Sequence, residues 1–257
     1  MGYNLGRYQE KTFVYLLDGT KIKDMHKDAR AFMRAIYGEL DDEEIVRSEI
    51  INDFRKPDFY VIYKGEKKFI SMKTGDSHTL HEENLESFIA FLSSLGVDNE
   101  ALNLMRYLFW GDNTLDGSGE RVFRQSTAVE YCPEIVKKFN EKMNADKTII
   151  QKVIEKVTFD GKATDGIVAD YIFHYEPNKV ATVVSREQVL RYIQTKEWDF
   201  LDNPHIGPLQ FAPKTVRKES KNYEFNRKRI SIWWSRLFSD LTYIEQHYVV
   251  FKKGKAK

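Results

Sequence analysis

The sequence predicts an α/β chain of the α+β kind, on three observations. Apolar residues recur at helical spacing in several separate stretches, as in Met25, Ala29, Phe32, Met33 and Ile36. Two stretches rich in aromatic and β-branched residues each straddle a turn former, one at Gly65 and one at Pro177. The 257 residues are 42% hydrophobic, enough for one substantial core or two small ones.

Taken in order, the stripe from Asp24 to Tyr37 predicts an amphipathic helix that Gly38 ends. A short acidic helix is expected over Asp42 to Ile51, broken by Asn52, Asp53 and Lys56-Pro57. Asp58 to Tyr63 and Lys68 to Met72, joined across Lys64-Gly65-Glu66-Lys67, predict a β-hairpin. Leu85, Phe88, Ile89, Leu92 and Leu95 place a helix from about Glu82 to Leu95, and Leu102, Met105, Leu108 and Phe109 place another after Gly96. Gly111 to Gly119 reads as a loop, followed by helices at Ile135 to Met143 and Ile149 to Val157.

A second hairpin is expected from Ile167 to Tyr175 and Val180 to Val184 across Glu176-Pro-Asn178, with a helix from Arg186 to Gln194 behind it. Ile230, Trp233, Trp234, Leu237, Leu241 and Ile244 fall mostly at helical spacing, which makes the two tryptophans core anchors. No clean linker divides the chain, so the expectation is a single domain over 1–257.

Composition excludes several classes. Only 14 Gly and 6 Pro, against 14 Tyr, 17 Phe and 4 Trp, rule out collagen-like and disordered chains. No apolar run approaches the roughly 18 residues of a membrane span, and Met1 to Glu10 is polar. Cys132 is the only cysteine, so neither an intramolecular disulfide nor a cysteine zinc site can form, and a cytoplasmic location is expected. Asp112 to Gly117 resembles the start of a calcium loop, but position twelve is Phe123 rather than Glu, which rejects an EF-hand. A net charge of +1 neither demands nor excludes a polyanionic partner.

The first hairpin carries the chemistry. Asp58 opens one strand and Lys73 closes the next, so an antiparallel pairing about Gly65 brings them together at the open end. A carboxylate beside an ammonium suits metal-assisted phosphodiester hydrolysis: the acid holds a divalent cation, and the lysine positions water or offsets developing charge. The same pair on a solvent face is ordinary.

The wider string Lys56-Pro57-Asp58, then Phe69-Ile-Ser-Met-Lys-Thr-Gly75, then Ser77-His-Thr-Leu-His81-Glu-Glu83, resembles the core of the PD-(D/E)xK nuclease superfamily. It looks most like bacterial type II restriction endonucleases whose second motif reads Ser-x-Lys and is followed by a His-x-Glu. The resemblance covers mainly residues 56 to 92, with weaker echoes at Trp110 to Gly117 and Ile232 to Asp240. It implies a restriction-endonuclease-like mixed central sheet flanked by helices, with a catalytic core at about 20–110 and a C-terminal elaboration at about 160–257. It also implies Mg²⁺, for which Mn²⁺ may substitute, and cleavage of double-stranded DNA by activated water. A homodimer and a cognate methyltransferase in the same system are the implied partners.

One departure is plain. The superfamily's second acid stands two residues before the lysine, where this chain has Ser71. Some superfamily members recruit a glutamate from the following helix, and the His-x-Glu match points to Glu83 beside His81, with Glu82 and Glu86 as rivals and Glu44 or Glu49 as further donors. The same glutamates also suit simple charge complementarity at a helix start. The resemblance thus implies Asp58, Glu83 and the Met72 carbonyl as metal ligands, Lys73 as the water-positioning group, and His81, or less directly His78, near phosphate.

Lys214, Arg217, Lys218, Arg227, Lys228 and Arg229, interleaved with Tyr223 and Phe225, have the composition of a phosphate-contacting surface or of a solvated basic face. The readings left open are an active DNA endonuclease in restriction or phage defence, an inactive nuclease-fold protein that binds nucleic acid, and an interaction protein.

Overall fold

The computed structural model describes residues 5–51, 56–75, 78–160, 166–176, 181–198, 203–217 and 219–248. Along them run α1 (Leu5–Leu17), α2 (Lys27–Tyr37), β1 (Arg47–Ile50), β2 (Phe59–Tyr63), β3 (Glu66–Thr74), β4 (Thr79–Asn84), α3 (Leu85–Ser94), α4 (Asn99–Trp110), α5 (Ala128–Tyr131), α6 (Pro133–Asn144) and α7 (Lys147–Ile154). There follow β5 (Tyr171–Tyr175), β6 (Thr182–Ser185), α8 (Arg186–Thr195), β7 (His205–Ile206), β8 (Leu209–Pro213), α9 (Tyr223–Asn226), β9 (Arg229–Trp234) and α10 (Leu237–His247). The chain is mixed α and β, as predicted. It divides into two compact units, one of residues 1–77, 158–192 and 238–257 and the other of 78–157 and 193–237.

The first unit is built on a five-stranded mixed sheet in the order β1-β2-β3-β5-β6. The predicted hairpin is there: β2 and β3 pair antiparallel, Phe59 opposite Ile70 and Tyr63 opposite Glu66. Lys64 and Gly65 turn the chain with positive φ, a conformation that glycine adopts without strain. β3 then pairs in parallel with β5, Ser71 opposite Ile172. A parallel neighbour requires a long crossover, and residues 78–157 of the second unit lie within that connection. The second hairpin is also present, β5 and β6 pairing Phe173 with Val183, while Pro177 and Asn178 of its expected turn lie outside the described residues.

One sheet face is closed by α1 and α2. Phe13 and Leu17 from the first helix, Phe32 and Met33 from the second, and Phe59, Ile70, Met72 and Phe173 from the sheet are all essentially buried. Their rings pack edge-on or tilted, Phe13 to Phe32 at 5.1 Å and Phe32 to Phe173 at 4.6 Å between centroids.

The second unit has an antiparallel sheet in the order β4-β9-β8-β7, with α3 against β9 and α4 against β8 and α6. Its helices start where their caps dictate: the Asp98 carboxylate accepts from the Ala101 N–H at 2.8 Å, and Pro133 opens α6. Gly111 ends α4 at φ +61°, where a Cβ would meet the Phe123 carbonyl oxygen at 2.3 Å.

Three expectations are corrected. Residues 42–51 are not a helix: Asp42 and Glu43 pair with Arg30, Lys21 and Lys23 on the surface, and Arg47–Ile50 extends along β2. Glu82 and Glu83 belong to β4 rather than to the helix start, which the Asn84 cap sets at Leu85. Residues 230–234 are strand, not helix. Ile230, Ile232 and Trp234 are buried while Arg229, Ser231 and Trp233 are half-buried, a period of two that a spacing of four also satisfies.

Candidate active site

Asp58 sits one residue before β2, where its N–H donates to the Ile70 carbonyl at 2.8 Å. Its Oδ2 accepts from the Met72 N–H at 2.6 Å, so backbone and side chain of Asp58 together clasp β3 on either side of Ser71. Asp170, next to the other neighbouring strand, grips the single residue Phe69, its N–H donating to the Phe69 carbonyl at 2.7 Å and its Oδ2 accepting from the Phe69 N–H at 2.8 Å. Because Ile70 and Met72 point into the aromatic core, the alternation of the strand sends Ser71 and Lys73 to the opposite face. Ser71 is fully buried, and its Oγ has no hydrogen-bond partner among the described residues. Lys73 is half-buried.

The acid that joins this pair was not found from the sequence. Glu10 lies on α1, three residues before Phe13 and seven before Leu17, on the stripe that faces the core. Burial, and then the negative charge of Asp58, push its carboxyl up to about 7, with Lys73 and Arg7 acting in the opposite direction. Both charges thus act on Glu10, which comes from the helix on the Ile70 and Met72 side of the sheet rather than from the face to which Ser71 points. A charged residue on the apolar stripe of an amphipathic helix was the available sequence signal.

Two more charged groups complete the cluster. Lys56, at the cis Lys56–Pro57 bond, is half-exposed as a residue, yet its ammonium is desolvated. Burial and then Lys73 hold its pKa well below the usual lysine range, against the attraction of Asp58 and Asp160. Asp160 in turn lies 3.9 Å from the guanidinium of Arg186. Glu10, Lys56, Asp58, Lys73 and Asp160 all belong to the first unit. Among the described residues, no group of three or more His, Cys, Asp and Glu is placed to hold a metal ion.

His81 and Glu83 belong to the second unit. Both are buried on β4, with His81 Nε2 3.1 Å from Glu83 Oε1 and Lys156 Nζ 3.3 Å from the same oxygen. Burial raises the Glu83 carboxyl, but the bonds and charges of His81 and Lys156 outweigh it and leave the carboxyl below its ordinary value. Glu86 grips Arg106 in a two-pronged pair at 3.0 and 2.7 Å. Glu49 receives a short hydrogen bond from the Tyr60 hydroxyl. The His78 carbonyl accepts from the Trp234 N–H at 3.1 Å.

The basic stretch is partly engaged. Lys214 and Arg229 both reach Glu82, at 2.5 and 3.7 Å, and Arg227 pairs with Glu224 at 2.7 Å. Arg217 and Lys228 are exposed, while Lys218 and the basic tail 252–257 lie outside the described residues. Asp112, the first residue of the rejected calcium loop, uses its carboxylate to tie its own loop, accepting from Thr114 and from the Gly119 N–H. No described helix is long and apolar enough to cross a membrane. Comparison with known proteins finds no family model that matches this chain and no curated protein that matches it.

Proposed function

We propose that the chain is a metal-dependent DNA endonuclease of the PD-(D/E)xK type, a type II restriction enzyme or a related phage-defence nuclease acting as a homodimer. The observation that carries this reading is the open end of the predicted hairpin, where Asp58 is bonded to the Met72 N–H of the neighbouring strand one residue before Lys73, with Glu10 electrostatically coupled to both charges. The mixed sheet flanked by helices supports the restriction-endonuclease-like architecture that the motif implies.

The donor set fits a hard cation. Mg²⁺ keeps several waters and needs only one or two carboxylates, whereas zinc demands the larger His and Cys sets that the described residues lack. Asp58 keeps Oδ1 beyond its bond to Met72, and Glu10 supplies the second carboxylate once it releases its proton. Asp58 and Glu10 would hold such an ion, which when bound would supply polarisation of a phosphate and acidification of a water. The Lys73 ammonium offsets charge developing on the phosphate oxygens. His81 and Glu83 form a buried ion pair in the second unit and are assigned no metal in this reading.

The test is digestion of plasmid and phage DNA with Mg²⁺, Mn²⁺ or EDTA, by the wild type and by Asp58→Asn, Lys73→Ala, Glu10→Gln and Glu83→Gln. Discrete metal-dependent fragments that vanish in the first three variants and persist in the fourth are expected. Loss in Glu83→Gln with full activity in Glu10→Gln would return the missing acid to β4. DNA binding without cleavage under any metal would leave a nuclease-fold binding protein.

A further inference from the structure

The second unit contains a cavity of about 670 Å³ whose floor is the open face of its sheet. On that face the period of two places Gln210 of β8 directly opposite Trp233 of β9. Their neighbours Ile232 and Trp234 are buried and lie outside the lining, while the buried Phe211 borders it. Trp233 is therefore not a core anchor: it is half-buried, lines the cavity, and no other ring stacks on it among the described residues. The Gln210 amide faces the same space and makes no side-chain hydrogen bond among the described residues.

The rim is cationic. Arg121 and Arg124 are exposed and line the cavity from the loop after α4, and Arg121 uses only Nε internally, donating to the Trp110 carbonyl at 3.2 Å. Neither guanidinium forms an ion pair among the described residues. Arg227, across the cavity, is held over the Trp110 ring at 5.4 Å and donates to the Gly117 carbonyl at 3.1 Å, which fixes the wall.

An unstacked indole on an open sheet face, an unused amide beside it and two unpaired guanidinium groups at the rim correspond to the three parts of a nucleotide: ring, base edge and phosphate. The volume suits a ligand of that size. We infer that this face binds one unpaired nucleotide of a DNA strand, with the base laid on Trp233, its edge met by Gln210 and its phosphate by Arg121 and Arg124. The choice of DNA rests on the endonuclease reading; the site itself does not, since it needs neither metal nor cleavage.

The test is fluorescence anisotropy of the full chain in EDTA, with a labelled single-stranded DNA oligonucleotide, the matching duplex and free dAMP as competitor. Variants are Trp233→Ala, Trp233→Phe, Gln210→Ala, Arg121→Ala/Arg124→Ala, and, as a control outside both sites, Tyr15→Ala at an exposed position of the first unit. Single strand is expected to bind more tightly than duplex. Trp233→Ala weakens it on the order of tenfold, Trp233→Phe restores most of the loss, and the double arginine variant flattens the salt dependence by about one to two phosphates. Tyr15→Ala binds as wild type. Equal binding of single strand by wild type and Trp233→Ala, a preference for duplex, or binding of dAMP with none of the oligonucleotide would overturn the inference. Cleavage with unaltered Trp233→Ala binding removes this inference and keeps the endonuclease; binding as described without any cleavage does the reverse.

Discussion

The Asp58 carboxylate and the Met72 backbone N–H are joined by a 2.6 Å hydrogen bond that fastens the entrance of β2 to the middle of β3. That bond fixes one carboxylate oxygen, and the proposed metal would take the other. Asp58 thus has a structural role beside the catalytic one proposed for it, and the two separate by substitution. Asp58→Asn retains an acceptor and loses the charge, so cleavage should fall at least about 100-fold with a small change in melting temperature. Asp58→Ala loses the acceptor too and should cost a further 1 kcal/mol or so of stability, read by chemical denaturation. Full cleavage by Asp58→Asn would end the metal-site assignment.

Glu10 makes stability depend on pH in a definite direction. Its folded pKa of about 7 exceeds the ordinary 4.5, so the unfolded chain releases the proton first as pH rises. The contribution is complete below pH 4.5 and is lost as pH climbs through 7. In EDTA, wild type should therefore lose stability relative to Glu10→Gln between pH 5 and 8, on the order of 1 kcal/mol once solvent screening is allowed for. Parallel denaturation curves for the two proteins across that range would remove the buried-acid account of Glu10.

Gly117 is held against Trp110. Its φ of +77° and a distance of 2.4 Å from a would-be Cβ to the indole ring leave no room for a side chain. Gly117→Ala should therefore destabilise the second unit by about 2 kcal/mol, through backbone strain and displacement of a nearly buried ring. A melting temperature equal to wild type would show that the loop yields freely.

Glu82 gathers Lys214 and Arg229 and approaches the Ser231 hydroxyl. These pairs are partly exposed, so Glu82→Gln should change stability by under about 1 kcal/mol. Releasing two cations should nonetheless tighten DNA binding at low salt and steepen its salt dependence. An unchanged slope would mean that neither cation meets phosphate.

The hairpin of β2 and β3 was legible because Asp58 to Met72 carries its own turn, and local alternation needs no distant partner to be read. Most helices were legible for the same reason, with caps such as Asp98 and Pro133 in the sequence itself. Misreadings fell where local patterns were degenerate. Ile230 and Trp234 are four apart, a spacing that a helix and a strand both place on one face, and only pairing with β8 and β4 selects the strand. Asp42 to Ile51 reads as an acidic helix, but Arg30, Lys21 and Lys23 from other segments hold Asp42 and Glu43 in a turn, and Arg47–Ile50 pairs with β2.

By itself the sequence determined the mixed α and β class and the Asp58 to Lys73 hairpin, because each follows from residues within short stretches. Tertiary structure alone decided that Glu10, 48 positions before Asp58 in the chain, shares its electrostatic surroundings, and that His81 and Glu83 pair with one another in the other unit. It likewise decided that Trp233 lines an open cavity while its neighbour Trp234 is buried. The physical reason is common to all three: burial and charge coupling are set by which segments fold together, and no spacing along a chain encodes the distance between two of its surfaces.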